Sequence, residues 1–200
     1  MERLASLILF LACAPLANAT TILVESGQLT GANNVNVSGT LYNVRFLDGT
    51  CEDLYNGCLD PADFIFNSVG AATQAALALE AQVFLDGGMG NFDSMPALTR
   101  GCDAGLNTCQ IATPYSSVGL RAQYVTLANR SGTIATDLFV QGSEFFRTDI
   151  TGNNRLTWAV WSTPVIGPVA VPLPTPAWLL IAALLAVAIS LRKQFNPAER

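Results

Sequence analysis

The stretch from Pro176 to Leu191 sets the first limit on what this chain can fold into. Its sixteen residues are uncharged, and Ser190 is the only hydroxyl among them. A segment apolar on every side has no face to offer water, so it does not belong on a globular surface. As a helix it is about 24 Å long, short against a hydrocarbon core of about 30 Å. Trp178 can sit at one interface while Arg192 and Lys193 snorkel at the other. Thr175 can cap the helix and Pro176 suits its first turn. A buried core helix is the competing reading, but Pro172, Pro174 and Pro176 separate the segment from what precedes it. The reading is a transmembrane helix over 177–191, partnering the membrane. The basic tail 192–200 then lies in the cytoplasm and the bulk of the chain outside.

The opposite end is also apolar, for a different reason. Arg3 gives a positive start, Leu4 to Ala14 is too short to span a bilayer, and Ala17-Asn18-Ala19 is a small-x-small cleavage pattern. Residues 1–19 therefore read as a signal peptide, cut between Ala19 and Thr20. A lipoprotein anchored at Cys13 is the alternative, but Phe10 stands where such a signal carries Leu.

Between the ends, 20–164 is long enough for one domain with a core. From Thr20 to Thr175 there are thirteen acidic residues against six arginines, a net charge of −7, with no Lys. That balance excludes nucleic acid as a partner, because phosphate binding needs clustered cations. The chain has no His, which removes serine and cysteine triads and His-ligated metals. Any general base would be a carboxylate, Tyr or Cys.

Four cysteines remain after Cys13, in two pairs of identical spacing: Cys51 with Cys58 and Cys102 with Cys109. In an exported domain this reads as disulfides. Three connectivities are possible, and the repeated spacing favours two local loops. A four-thiolate zinc site would call for Cys-x2-Cys knuckles, which are not present.

The C-terminal order Val171-Pro172-Leu173-Pro174, Ala177-Trp178, apolar helix, Arg192-Lys193 resembles the PEP-CTERM sorting tail of Gram-negative bacteria in its Val-Pro-Leu-Pro form. Leu173 stands where the eponymous motif has Glu, and Gln194 to Arg200 extend past the basic stop. The resemblance covers about 25 residues. It implies a Pro-rich linker and sorting motif over 165–176, an exosortase as processing enzyme, and extracellular polysaccharide as a candidate partner. Residues 39–51, the cysteine loop and the Ala-rich segment after it resemble the middle of other small proteins of this group. That second resemblance implies no catalytic residue.

The middle predicts an α+β fold: an antiparallel meander with one principal amphipathic helix. Strands are expected at 21–26, 35–46, 122–127, 133–140, 144–148 and 155–162. A helix is expected within 63–86, where Val69, Ala72, Ala76, Leu79 and Val83 share a face and Gln74, Ala78 and Gln82 oppose it. Residues 88–117 read as a long stapled loop.

Three features invite functional readings. Asp48, Glu52, Asp53, Asp60 and Asp63 bracket the first cysteine loop and could offer oxygens to calcium, though without EF-hand spacing. Trp158 and Trp161 have odd spacing on one strand, which sets them on opposite faces: one is expected in the core, the other partly buried, or else exposed and able to stack on a sugar. Two carboxylates could cleave a glycosidic bond. Asn36 and Asn129 match a glycosylation pattern, read here as coincidence. The reading that absorbs most features is a non-enzymatic envelope or matrix protein without metal or cofactor. A glycan-binding module, with calcium if any, and a carboxylate hydrolase are the alternatives.

Overall fold

Strand β9 (Leu156–Ser162) shows why the domain needs a two-sided core. Its side chains alternate between two separate apolar clusters: Leu156 and Trp158 enter one, Ala159 and Trp161 the other. This is the period-2 pattern of a strand covered on both faces. The computed structural model describes residues 19–102, 107–131 and 137–164. The expected signal segment up to Asn18, the expected sorting motif and the expected membrane helix lie outside the described residues. Among the described residues no helix is long and apolar enough to cross a membrane.

Seven strands form one sheet. Strands β1 (Thr21–Glu25), β2 (Gln28–Val37) and β3 (Thr40–Leu47) make one antiparallel meander. Strands β6 (Thr108–Val118), β7 (Arg121–Arg130) and β8 (Leu138–Phe145) make another. β9 lies between them, giving the order β1-β2-β3-β9-β6-β7-β8. It is antiparallel to β3, with Val44 facing Trp161, and parallel to β6, with Ala112 facing Trp158. The sheet is therefore mixed, which corrects the expected all-antiparallel meander. The α+β class stands. β4 (Asp86–Gly87) and β5 (Gly90–Asn91) form a separate small hairpin.

The region 35–46 is two strands, because Ser38 and Gly39 both take positive φ and turn the chain. Asn34 is also left-handed, at the irregularity that lets Ala32 pair with Val44 and Val35 with Tyr42. Gly31 packs where a side chain would strike the Val44 carbonyl, so only glycine fits there. The expected strand at 144–148 is the end of β8, which pairs with β7 up to Phe145 opposite Arg121. Much of the expected loop at 88–117 is β6. Its Pro114 falls beyond the last residue paired with β9, next to a register shift against β7. A proline can occupy a strand at such a point because no ladder donor is needed.

Helix α2 (Val69–Gln82) covers one face. Ser68 caps it, accepting from the Ala71 N–H. It starts later than expected because Asp60 and Asp63 form a capping box on a 3-10 turn at Pro61–Asp63. Ala72, Ala75, Ala76, Ala78 and Leu79 are buried, whereas Val69 is 40% exposed. The expected face was thus misplaced at Val69 and Ala78. Small side chains let the helix lie flat against β2, β6 and β7 over a wide arc, and alanine gives little polar contrast to mark its edges. The second face is covered by the short helix α1 (Cys51–Leu54), Tyr55, Phe64 and the segment through Phe146 and Ile150. Phe64 and Phe66, two residues apart, enter opposite clusters.

Each cluster carries one disulfide. Cys51–Cys58 sits in the cluster around Trp158 and Cys102–Cys109 in the cluster beneath α2, each with Cα atoms 5.7 Å apart. These are the two local loops that the spacing favours. Truncating Trp158 to Ala should cost about 3–5 kcal/mol in urea unfolding, a large share of the stability of a domain this size.

Candidate functional site

The first cysteine loop engages most of its carboxylates locally. Thr50 caps α1, accepting from the Asp53 N–H at 3.1 Å and donating to Asp53 Oδ2 at 2.6 Å. Asp60 accepts from the Ala62 N–H at 2.8 Å. Asp63 Oδ2 accepts from the N–H groups of Leu59 and Asp60 at 3.0 and 3.1 Å. Glu52 pairs with the Arg147 guanidinium at 2.9 Å. The run expected to offer oxygens to calcium is therefore spread over caps and one ion pair. Among the described residues no three His, Cys, Asp or Glu side chains gather to hold a metal.

Asp48 differs from its neighbours. Its Oδ1 is buried without a partner, and a Cβ at Gly101 (φ +85°) would collide with it. Burial raises its pKa, the Asp149 carboxylate adds to the rise, and the Thr157 hydroxyl and Arg100 oppose it. Asp149 itself is lowered, because the Thr151 hydroxyl and N–H bond to it at 2.6 and 2.9 Å. Divergent carboxylates are the signature that a hydrolase would need. Asp48, however, is clamped beneath Gly101 and Thr157 in a bracing position.

Both tryptophans are buried, Trp158 at 0% and Trp161 at 7% exposure. The Trp158 indole N–H donates to the Gly49 carbonyl and that of Trp161 to the Thr113 hydroxyl, each at 3.3 Å. Tyr55 and Tyr124 meet Trp158 edge-on, and Tyr42 and Phe66 meet Trp161 likewise. The reading of one exposed, sugar-stacking tryptophan is corrected. The two point to opposite faces as their spacing requires, but the loop 51–66 and α2 cover both.

The exposed apolar surface lies elsewhere, at the β6–β7 turn. Val118 and Leu120 are about two-thirds exposed and Phe145, across from Arg121, about half. A hollow of 370 Å³ is lined by Leu120, Phe145, Phe146, Arg147 and Thr148. The Phe146 N–H donates to the Leu120 carbonyl at 3.2 Å and closes its floor. The Arg121 guanidinium lies 4.0 Å from the Phe145 ring centre and donates to Ser143. Arg147 lies 5.7 Å from that of Phe146. Cation and ring attract through the ring quadrupole, so apolar surface and positive charge share one patch. Sequence reasoning missed this hollow. The available signal was apolar residues flanking Gly119, where a hairpin turn is ordinarily polar.

The other predicted positions divide by location. Thr20 is half-buried, its hydroxyl set against the Asn34 carbonyl and Gln82 Oε1 at 3.2 and 2.9 Å. Ala19 is exposed. Ala17, Val171 to Pro174, Ala177, Trp178, Arg192 and Lys193 lie outside the described residues. Asn129 is fully buried and out of reach of any glycosyl transfer, while Asn36 is exposed and accepts from the Gly39 N–H. No protein-family model, curated protein or solved structure matches the chain.

The raised Asp48 pKa has a defined sign. The folded state binds this proton more tightly than the unfolded chain, so Asp48 contributes stability at low pH that is lost as pH rises through its folded value. Asp48→Asn should flatten the pH dependence of Tm in the acid range and leave the variant no less stable than wild type at neutral pH.

Proposed function

We propose that this chain is an exported cell-envelope or extracellular-matrix protein, sorted through its C-terminal tail by an exosortase, with no catalytic activity of its own. The observation that carries the reading is the pair of disulfides, one buried in each face of the sheet. Such bonds persist in oxidising compartments. The signal-peptide pattern at 1–19, the Val171-Pro172-Leu173-Pro174 motif and the apolar run before Arg192-Lys193 support the same route. Lacking His, and with most acids of the first cysteine loop committed to caps, the domain suits a structural or adhesive task.

The test is the intact mass of the protein from its native host, with and without reductant. The expected product begins at Thr20, ends near the Pro-rich segment and gains about four mass units on reduction, two per disulfide. A chain running through Arg200 would make the tail a permanent anchor and end the sorting reading. No gain on reduction would end the argument from disulfides.

A second reading, an extracellular glycan-binding module, is favoured by the hollow at the β6–β7 turn. A half-exposed phenyl ring with the Arg121 guanidinium against it, in a hollow that Arg147 also lines, suits a sugar ring carrying acidic groups. The expected result is retention on acidic polysaccharide, weakened about tenfold in Phe145→Ala, the equivalent of about 1.4 kcal/mol. No retention on any polysaccharide, with or without chelator, would dispose of this reading.

A further inference from the structure

The end of the β7–β8 pair where one strand leads into the other holds two buried oxygens without a hydrogen-bond partner. The register runs from Arg121 opposite Phe145 to Ala128 opposite Leu138. Asp137 directly precedes β8, and one further step of the same register would set it opposite Asn129 on one face of the sheet. Asn129 is fully buried and its Nδ2 donates to the Phe92 carbonyl at 2.7 Å. That bond fixes the orientation of the amide and leaves Oδ1 an acceptor without a partner. Asp137 turns back toward β7: its Oδ1 accepts from the Arg130 N–H at 3.0 Å, and its Oδ2 is buried without a partner.

Two facing acceptors cannot satisfy each other. A buried acceptor left unmet keeps the full penalty of its lost hydration, larger still if it is charged, so native proteins fill such positions. We infer that Asn129 and Asp137, with the adjoining Phe92 carbonyl, form a binding site for a hard divalent cation, of which calcium best suits the donors. All three donors are oxygens, which calcium accepts from carboxylate, amide and backbone alike. The Phe92 carbonyl keeps a lone pair after accepting from Asn129.

The charges around the site fit a cation. Asp93, next to Phe92, and Glu80, on α2, both act on Asp137, with Arg130 as the opposing charge. Asp93 is exposed and Glu80 half-buried, so they act on the ion from a distance and water would complete its shell. One direct carboxylate places the site in the weak extracellular class, with Kd of about 10⁻⁴–10⁻³ M. The site is distinct from the acidic run of the first cysteine loop, and the inference stands apart from the proposed route of export.

The test uses the full chain in detergent, with calcium chloride as ligand. At ten times Kd, Tm should rise by about 5 °C, and EDTA should reverse the rise. Asp137→Asn, which keeps size and shape, should lose the calcium-dependent rise while still unfolding cooperatively. Asn129→Asp adds a carboxylate and should tighten binding several-fold by calorimetry. A wild-type Tm indifferent to calcium and EDTA would overturn the inference, as would an equal rise in Asp137→Asn.

Discussion

The hydrogen bonds that β9 makes on both sides turn two separate meanders into one sheet. β1-β2-β3 and β6-β7-β8 would each, without β9, leave an unpaired edge, at β3 and at β6. β9 satisfies both edges, antiparallel to one and parallel to the other. Being central, it must be covered on both faces, and Trp158 and Trp161 supply the volume. β9, like β6 and β7, sends side chains into both clusters, so the packing of α2 above and of the loop 51–66 below are coupled through these central strands. The Tyr55 hydroxyl reinforces the link by donating to the Ala159 carbonyl at 2.9 Å.

Cover on the Trp158 face comes from irregular chain rather than a long helix. α1 has four residues, and the rest is turns and single aromatic insertions. Such chain has few internal hydrogen bonds to hold its shape. Here side-chain caps at Thr50, Asp60 and Asp63 and the Cys51–Cys58 bond supply that hold. The acidic character of this stretch thereby has a structural explanation, because carboxylates are good acceptors for the free N–H groups of tight turns.

Local patterns were legible and long-range ones were not. The spacing Ala72, Ala76, Leu79, Val83 located α2, and the repeated cysteine interval located both staples. Ala78 was misassigned because alanine is indifferent to water and carries no sign of its surroundings. The opposite orientation of Trp158 and Trp161 follows from strand geometry. Their burial depends on Tyr55 and Phe66, far earlier in the chain, and no spacing encodes that. The parallel pairing of β6 with β9 was likewise invisible, since register between distant strands leaves no local mark. Pro114 and the Gly- and Asn-rich run before it hid β6. At the β6–β7 turn, Leu120 precedes the strand expected at 122–127 and Phe145 falls in the one expected at 144–148, and only the β7–β8 register sets Arg121 against the ring.

The placement of β9 also fixes the order in which this domain can be finished. A ribosome delivers the chain from its N-terminus, and among the described residues β9 is the last strand to emerge. Until residues 156–162 are free, β3 and β6 present bare edges and the two tryptophans are absent from both clusters. The meanders can form early, but each then carries a sticky seam, a template for pairing with another chain. The domain is in this sense buttoned from its far end. Its most vulnerable period is the interval before the last button is in place.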